Sequence, residues 1–216
     1  QLLESAGLKA LEIPTDPRRG LSIEALELAT RDGRVAACLL VANASNPLGS
    51  IMPDEHKRRL AKLTAERGVA VIEDDIFGDL HFGSARPWPI KAFDKTGNVM
   101  LCSSFSKSLS PALAIGYVAA GRYRSQVALQ KAITSGPTNA IMQQVVADYL
   151  ESGAYDRHMR LLRRHHAQQV DAMRAAVARY FPAATRMTDP QGGLVLWVEL
   201  PEEIDTSALF DRAIAS

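Results

Sequence analysis

The sequence predicts an α/β protein built on a mostly parallel sheet, and three observations predict it. Short apolar runs bounded by turn residues alternate with longer stretches of helical period, the pattern of successive βαβ units. Hydrophobic residues make up 47% of the chain and aromatic ones only 6%, the balance of an Ala- and Leu-rich α/β protein. At 216 residues the chain is long enough to bury one large core.

The elements follow in order. "LKALEIP" (8–14) reads as a strand, and "SIEALELATRDG" as a helix capped by Ser22 and stopped by Gly33. "VAACLLVA" (35–42) is a buried strand that runs into the turn "NASNPLGS". Pro53 opens a helix through Arg67 with Gly68 as its stop; its acidic start and basic later turns suit the helix dipole. "VAVIE" is the next buried strand, ending in "DDIFGDLHFG"; "NVMLCSS" is another, ending at Lys107, and "LAIGYVAAG" is a fourth. Beyond Gly121 three helical stretches cover 122–134, 138–152 and 154–180, the last long enough to bridge two packing layers. Pro182 ends it, and "ATRMTDPQGGLVLWVELP" reads as two strands joined through Pro190, Gly192 and Gly193. Residues 1–180 thus form the larger part, long helix included, and 181–216 the start of a smaller α+β subdomain. The chain opens on Gln1 and stops at Ser216 inside a helical pattern, so we read it as a fragment of a longer protein.

Several functional classes are set aside at this level. A formal net charge of +1 gives no global attraction to nucleic acid or anionic membrane, and no apolar run approaches the length of a bilayer span. Cys38 and Cys102 both sit in apolar runs, as expected of buried free thiols in a reducing, cytoplasmic compartment. The histidines show no zinc spacing and there is no Cys-x-x-Cys pair. Gly192 and Gly193 make no dinucleotide fingerprint, because no helical pattern follows them. The cluster Arg157, Arg160, Arg163, Arg164, His165 and His166 reads as a solvated basic helix face. His81 is expected in a loop near a site mouth, and Trp197, alternating with apolar neighbours, in the core.

In open α/β sheets ligands bind beyond the carboxyl ends of the strands. Three of the strands end in distinct polar groups: Asn46 before Pro47, Asp74, and Lys107 within "SSFSKSL". Singly, each has an ordinary explanation as turn former, loop acid or solvated charge. Jointly, they supply what pyridoxal phosphate requires: a lysine amine to hold it as an imine, a carboxylate for its ring nitrogen, and hydroxyls and amides for its phosphate. Ser104 and Ser106 flank Lys107 closely enough to serve the phosphate, and Asn46 is placed to donate to the phenolate oxygen.

Four stretches, "NASNPLGSIMPDEHKRRL", "VIEDDIFGDLHFG", "LCSSFSKSLSP" and "PQGGLVLWVELP", occur in the order in which they occur in a known family. The chain resembles the pyridoxal-phosphate-dependent fold-type I aminotransferases of class I/II, and more narrowly the aminotransferase-like domain of the MocR-type GntR-family transcriptional regulators. That resemblance implies a three-layer α/β/α architecture, Lys107 as the imine-forming catalytic lysine, Asp74 on the pyridine nitrogen, Asn46 on the phenolate oxygen, and Ser104 and Ser106 on the phosphate. It implies an amino acid or amine as the small-molecule partner, a homodimer with shared sites, and DNA reached only through an N-terminal domain outside these residues. It also places a Gly- and Ser-rich phosphate loop upstream of residue 1 and a substrate-carboxylate arginine downstream of Ser216.

Two positions depart from the family pattern. Phe77 stands where the family usually has a tyrosine whose hydroxyl reaches the phenolate oxygen. Ala114 stands where an arginine normally clamps the phosphate. A charge-assisted hydrogen bond is worth about 1.5–3 kcal/mol, so its loss weakens cofactor retention by about tenfold or more. Three functions follow from the resemblance: an effector-sensing domain of a regulator, a free-standing aminotransferase, or a scaffold that has lost its cofactor.

Overall fold

The computed structural model describes residues 2–215, with helices and strands arranged as an α/β fold. Its central sheet contains β1 (Ala37–Leu40), β2 (Ala70–Asp74), β3 (Val99–Ser104) and β4 (Gly116–Ala119) in that spatial order. β1 and β2 run parallel with Ala37 opposite Ala70, and β2 and β3 run parallel with Asp74 opposite Cys102. β4 is antiparallel to β3, Ser104 lying opposite Gly116. The reason is the connection: residues 105–115 form turns and a single 3₁₀ turn, too short for the crossover helix a parallel return requires.

Beyond a single turn at Leu2–Ser5, the α-helices are α1 (Ile23–Ala29), α2 (Asp54–Glu66), α3 (Arg124–Thr134), α4 (Ala140–Glu151), α5 (Ala154–Tyr180) and α6 (Thr206–Ala215). Ser22 caps α1 as its sequence predicts, its Oγ accepting from the Ala25 amide at 3.1 Å. α1 and α2 supply Ile23, Leu26 and Leu60 to a core shared with Cys38 and Leu40 of β1, Val71 of β2 and Val99 of β3. A second, smaller cluster joins Ala44, Phe77 and Leu80 from the strand-end loops to Met159 of α5. No helix among the described residues is long and apolar enough to cross a membrane.

Several expectations need correcting. Residues 8–14 form no strand: Leu8 and Leu11 are exposed, their side chains finding no face to bury against. The local pairing is instead Thr15–Asp16 with Gly20–Leu21, a turn in which Asp16 Oδ1 accepts from the Arg18 and Arg19 amides. β1 is not buried on both faces; Cys38 and Leu40 point into the core under α1 and α2, while Ala37 and Leu39 lie exposed on the other face. Cys38 is a buried free thiol, pushed up to about 11 by burial, but Cys102 is only half-buried. Trp197 is 47% exposed, outside the core. The C-terminal strands, β5 (Arg186–Met187) and β6 (Val198–Glu199), are two-residue rungs of an antiparallel pair.

The loop between β5 and β6 is laced onto the strand-end loops. The Phe82 amide donates to the Gln191 carbonyl, the Gly193 amide donates to the Leu80 carbonyl, and His81 bridges to Gly192. This close approach explains two glycines. A Cβ on Gly49 would lie 2.5 Å from the Pro190 Cβ, and one on Gly192 would lie 2.9 Å from the His81 Cα and 3.0 Å from the Leu80 carbonyl oxygen. The "PQGG" motif is thus a device for seating the C-terminal segment on the loop that follows β2.

Gly192→Ala is expected to cost about 1–3 kcal/mol, since the Leu80–His81 backbone against it must give way. Gly83→Ala, with its nearest neighbour at 3.9 Å, is the matched control and should leave the thermal midpoint unchanged. Thermal unfolding of the two variants beside the parent protein checks this.

Candidate active site at the carboxyl ends of the strands

Each residue singled out in the sequence lies at the carboxyl end of the sheet, although two lie further along than expected. β1 stops at Leu40 and Asn46 sits beyond it in the loop 41–50; β3 stops at Ser104 and Lys107 lies in the turn that follows. Asp74 is itself the last residue of its strand, as Ser104 is of β3. The Asn46 loop is pinned by Ser45 and Ser50, whose hydroxyl oxygens lie 2.6 Å apart, and the Asn46–Pro47 peptide bond is cis. The Lys107 turn is closed by the Leu109 amide donating to the Phe105 carbonyl at 2.8 Å.

The side chains differ in how committed they are. Asp74 is half-buried, one carboxylate oxygen accepting from the Ile76 amide at 3.2 Å. The Ser104 hydroxyl accepts from the Ser106 amide at 3.3 Å. Phe77 is buried in the Ala44, Leu80 and Met159 cluster. Among the described residues, neither the Asn46 side chain nor the Lys107 amine has a hydrogen-bond or ion-pair partner, and both residues are exposed. No hydrogen bond or ion pair joins any two of Asn46, Asp74, Phe77 and Lys107 among the described residues.

What joins their loops is a buried polar network that sequence reasoning does not foresee. Lys57 of α2 is fully buried and its ammonium donates to Asn43 Oδ1 at 2.8 Å. Asn43 Nδ2 donates to Asp75 Oδ1 at 2.9 Å, and Arg86 donates to the other Asp75 oxygen. Arg86 also donates to Asp79 Oδ1 at 2.6 Å, while the Tyr155 hydroxyl donates to Asp79 Oδ2 at 3.1 Å. The Ser103 hydroxyl, near the end of β3, donates to the Asp75 carbonyl at 3.2 Å. The loops after β1 and β2, the end of β3 and the helices α2 and α5 are therefore linked through Asp75 and Asp79, α2 by way of Asn43 and β3 by the Asp75 carbonyl.

The charges in this network are matched, as buried charges must be. Burial pushes the Lys57 ammonium below its ordinary value, with Asp54, Glu73 and Asp75 acting in the opposite sense. Burial likewise works against the Arg86 charge, but Asp75 and Asp79 outweigh it and hold the guanidinium above its ordinary value. The neighbouring Glu73 is fully buried and accepts from the Ile90 and Lys91 amides at 2.7 and 2.9 Å. Burial raises its carboxyl to about 7.

The remaining polar and loop positions lie as follows. His81 is buried, not at a mouth; burial depresses its imidazole. Arg122 donates to Asn98 Oδ1 at the amino end of β3, so it lies at the opposite end of the sheet from Lys107. In the basic cluster on α5, Arg157, Arg160 and Arg164 are exposed, but Arg163 is committed, donating to the Asp79 carbonyl at 2.8 Å. Ala114 adopts the left-handed conformation, φ 51°, at the end of the 3₁₀ turn that follows Lys107. Among the described residues no cluster of metal-ligating side chains occurs.

The fold defines the class: a mostly parallel α/β sheet of the kind found in the three-layer, fold-type I transferases, here with Lys107, Asp74 and Asn46 at its strand ends. The family model described as aminotransferase class I and II matches residues 1–215, and the chain belongs to that family. Two curated relatives from Escherichia coli (strain K12) are the uncharacterized HTH-type transcriptional regulators YjiR and YdcR. They are 40% identical over 95% and 97% of this chain, which covers 44% and 45% of their own lengths. The chain thus spans less than half the length of these relatives. Among solved structures, LysN, the alpha-aminoadipate aminotransferase of Thermus thermophilus, superposes with a TM-score of 0.87 at 30% identity, over 97% of this chain and 54% of that one. LysN was solved in complex with N-(5'-phosphopyridoxyl)-L-leucine.

Glu73 generates a pH prediction. Its folded-state value of about 7 lies above the ordinary 4.5, so the folded protein binds the extra proton across that window. Stability must then fall as pH rises from about 4.5 to 7, and Glu73→Gln should flatten that dependence. Chemical denaturation of both proteins at pH 5 and pH 8 measures it; an unchanged slope in the variant would assign the dependence to another group.

Proposed function

We propose that this chain is a pyridoxal-phosphate-binding, aminotransferase-like domain that senses an amino acid or amine on behalf of a transcriptional regulator. The observation that carries the reading is the state of Lys107. It is an exposed amine with no partner among the described residues, on a strand-end turn flanked by Ser104 and Ser106, while the acid next to Asp74 is locked into structure. The match to YjiR and YdcR along nearly the whole chain supports the regulatory setting.

The donor set fits the cofactor. Lys107 would supply the amine that holds it, Asp74 a carboxylate oxygen for the pyridine nitrogen, Asn46 an amide for the phenolate oxygen, and Ser104 and Ser106 hydroxyls for the phosphate. Phe77 lends only ring contact where a hydroxyl is usual, and Ala114 leaves the phosphate without a guanidinium. When bound, the cofactor supplies an electron sink for the carbon bearing the ligand's amine. Lys107 Nζ would be the group of this chain that moves a proton at that carbon. In the intact protein we place residues 1–180 as most of the large cofactor domain and 181–216 as the start of the small one. We further place it in the cytoplasm as a homodimer that reaches DNA through a separate N-terminal domain.

A second reading, a free-standing aminotransferase exchanging an amino group between amino and 2-oxo acids, is favoured by the likeness to LysN. Turnover of an amino acid with 2-oxoglutarate by the intact protein separates the two: sustained turnover supports the enzyme, ligand-dependent change in DNA binding without turnover supports the sensor.

Two outcomes are expected. The intact protein incubated with pyridoxal phosphate should show a visible absorbance band, and borohydride should fix the cofactor on Lys107, detectable by peptide mass; Lys107→Ala should abolish both. Absence of the band and of the adduct in the parent protein would mean a scaffold that no longer holds the cofactor. Ala114→Arg should tighten cofactor binding by about tenfold or more, given about 1.5–3 kcal/mol for a charge-assisted contact. Unchanged affinity would mean that another group already neutralises the phosphate.

A further inference from the structure

We propose that Tyr155 and His158 are positioning residues for Lys107: from the first turns of α5 they tie the Lys107 turn and the loop after β2 to one rigid helix. The proposal rests on the preceding functional reading only in what Lys107 is positioned for; the tie itself is read from contacts. Tyr155, His158, Met159, Leu162 and Arg163 follow the spacing that places residues on one helix face. Each of them meets a strand-end loop or the apolar cluster beneath it.

On the lysine side, the imidazole Nε2 of His158 lies 2.8 Å from the carbonyl oxygen of Ser108, the residue that follows Lys107. A carbonyl only accepts, so Nε2 carries the proton and donates. The Tyr155 ring stands edge-on against Phe105, with centroids 5.9 Å apart and planes at 85°. On the acid side, the Tyr155 hydroxyl holds Asp79 Oδ2 and Arg163 holds the Asp79 carbonyl. Met159 is fully buried and clusters with Ala44, Phe77 and Leu80. Burial also keeps the Tyr155 phenol protonated, pushed up to about 12, so it remains a donor at neutral pH.

The same stripe of α5 continues past these loops. His166, Val170, Met173 and Val177 line one wall of an open groove of about 410 Å³, with Leu194, Leu196 and Val198 of the C-terminal segment on the other. A 27-residue helix is about 40 Å long and stiff on that scale. The turn that carries Lys107 and the wall that faces the C-terminal segment are therefore parts of one body, fastened at the lysine end by two side chains.

The test uses His158→Leu, His158→Gln and Tyr155→Phe in the intact protein, with two readouts. The first is backbone hydrogen exchange of residues 105–110 in the cofactor-free protein. One neutral hydrogen bond corresponds to a factor of about ten, so His158→Leu should speed exchange there by about tenfold while leaving β2 at the parent rate. Tyr155→Phe should speed it about threefold, and His158→Gln, which keeps a donor, should restore the parent rate. The second readout is the dissociation constant for pyridoxal phosphate, expected to rise about tenfold in His158→Leu and to recover in His158→Gln. Exchange at 105–110 that is unchanged in His158→Leu, or that rises equally in β2, overturns the proposal, as does failure of His158→Gln to rescue. If the parent protein forms no borohydride-fixed adduct, the cofactor reading fails, and the exchange measurement still decides whether the tie exists.

Discussion

The constraint on which the rest of this site depends is the burial of one carboxylate, Asp75. It is 1% exposed, follows directly on the last residue of β2, and has both its oxygens met, one by Asn43 and the other by Arg86. Each of those donors brings a different element with it. Asn43 brings the loop after β1 and, through Lys57, helix α2; Arg86 brings Asp79 and, through Tyr155, helix α5. Removing either donor would leave an oxygen of a fully buried carboxylate without a partner, which destabilises the folded state. Loops that would otherwise be independent are therefore held in one arrangement.

This division of labour explains a doublet that sequence alone presents as redundant. In "EDDIFGD", Glu73 turns inward to receive two backbone amides, Asp75 is consumed by the network, and Asp74 between them stays half-exposed with an oxygen to spare. Strand alternation sets this pattern: Glu73 and Asp75 share one side and Asp74 takes the other. The acids on one side are held by backbone amides and by the network, and the acid on the other side accepts only from the Ile76 amide among the described residues. Lys107 obeys the same logic from the other direction: its turn is closed by backbone bonds and by His158, while its amine is committed to nothing among the described residues.

Much of this is legible in the sequence, and the boundary is physical. The α1 and α2 helices and the four sheet strands are written in local periodicity and in caps such as Ser22, which need no knowledge of neighbours. Residues 8–14 and Trp197 defeat that reading because apolar alternation says what a segment can bury, not whether a partner is there to bury it. His81 defeats it because the Gly192 contact that covers it comes from a segment more than a hundred residues away. The buried network is hidden for a related reason. Lys57 sits among charged neighbours in "EHKRRLAK", and its one local signal is its spacing three residues before the fully buried Leu60 and seven before the fully buried Thr64. The candidate site residues can be found because strand ends are predictable, and their order of commitment cannot, because it is set by contacts between loops.

The central claim is that neighbouring acids have been given separate tasks, with Asp75 holding the loops and Asp74 left for the cofactor. The most direct measurement is a crystal structure of the intact protein grown with pyridoxal phosphate. The account predicts the cofactor joined to Lys107 Nζ, its ring nitrogen on the Asp74 carboxylate, and Asp75 still held by Asn43 and Arg86. A cofactor whose ring nitrogen is met by Asp75, or an Asp75 released from Arg86 while Lys107 is loaded, would contradict it.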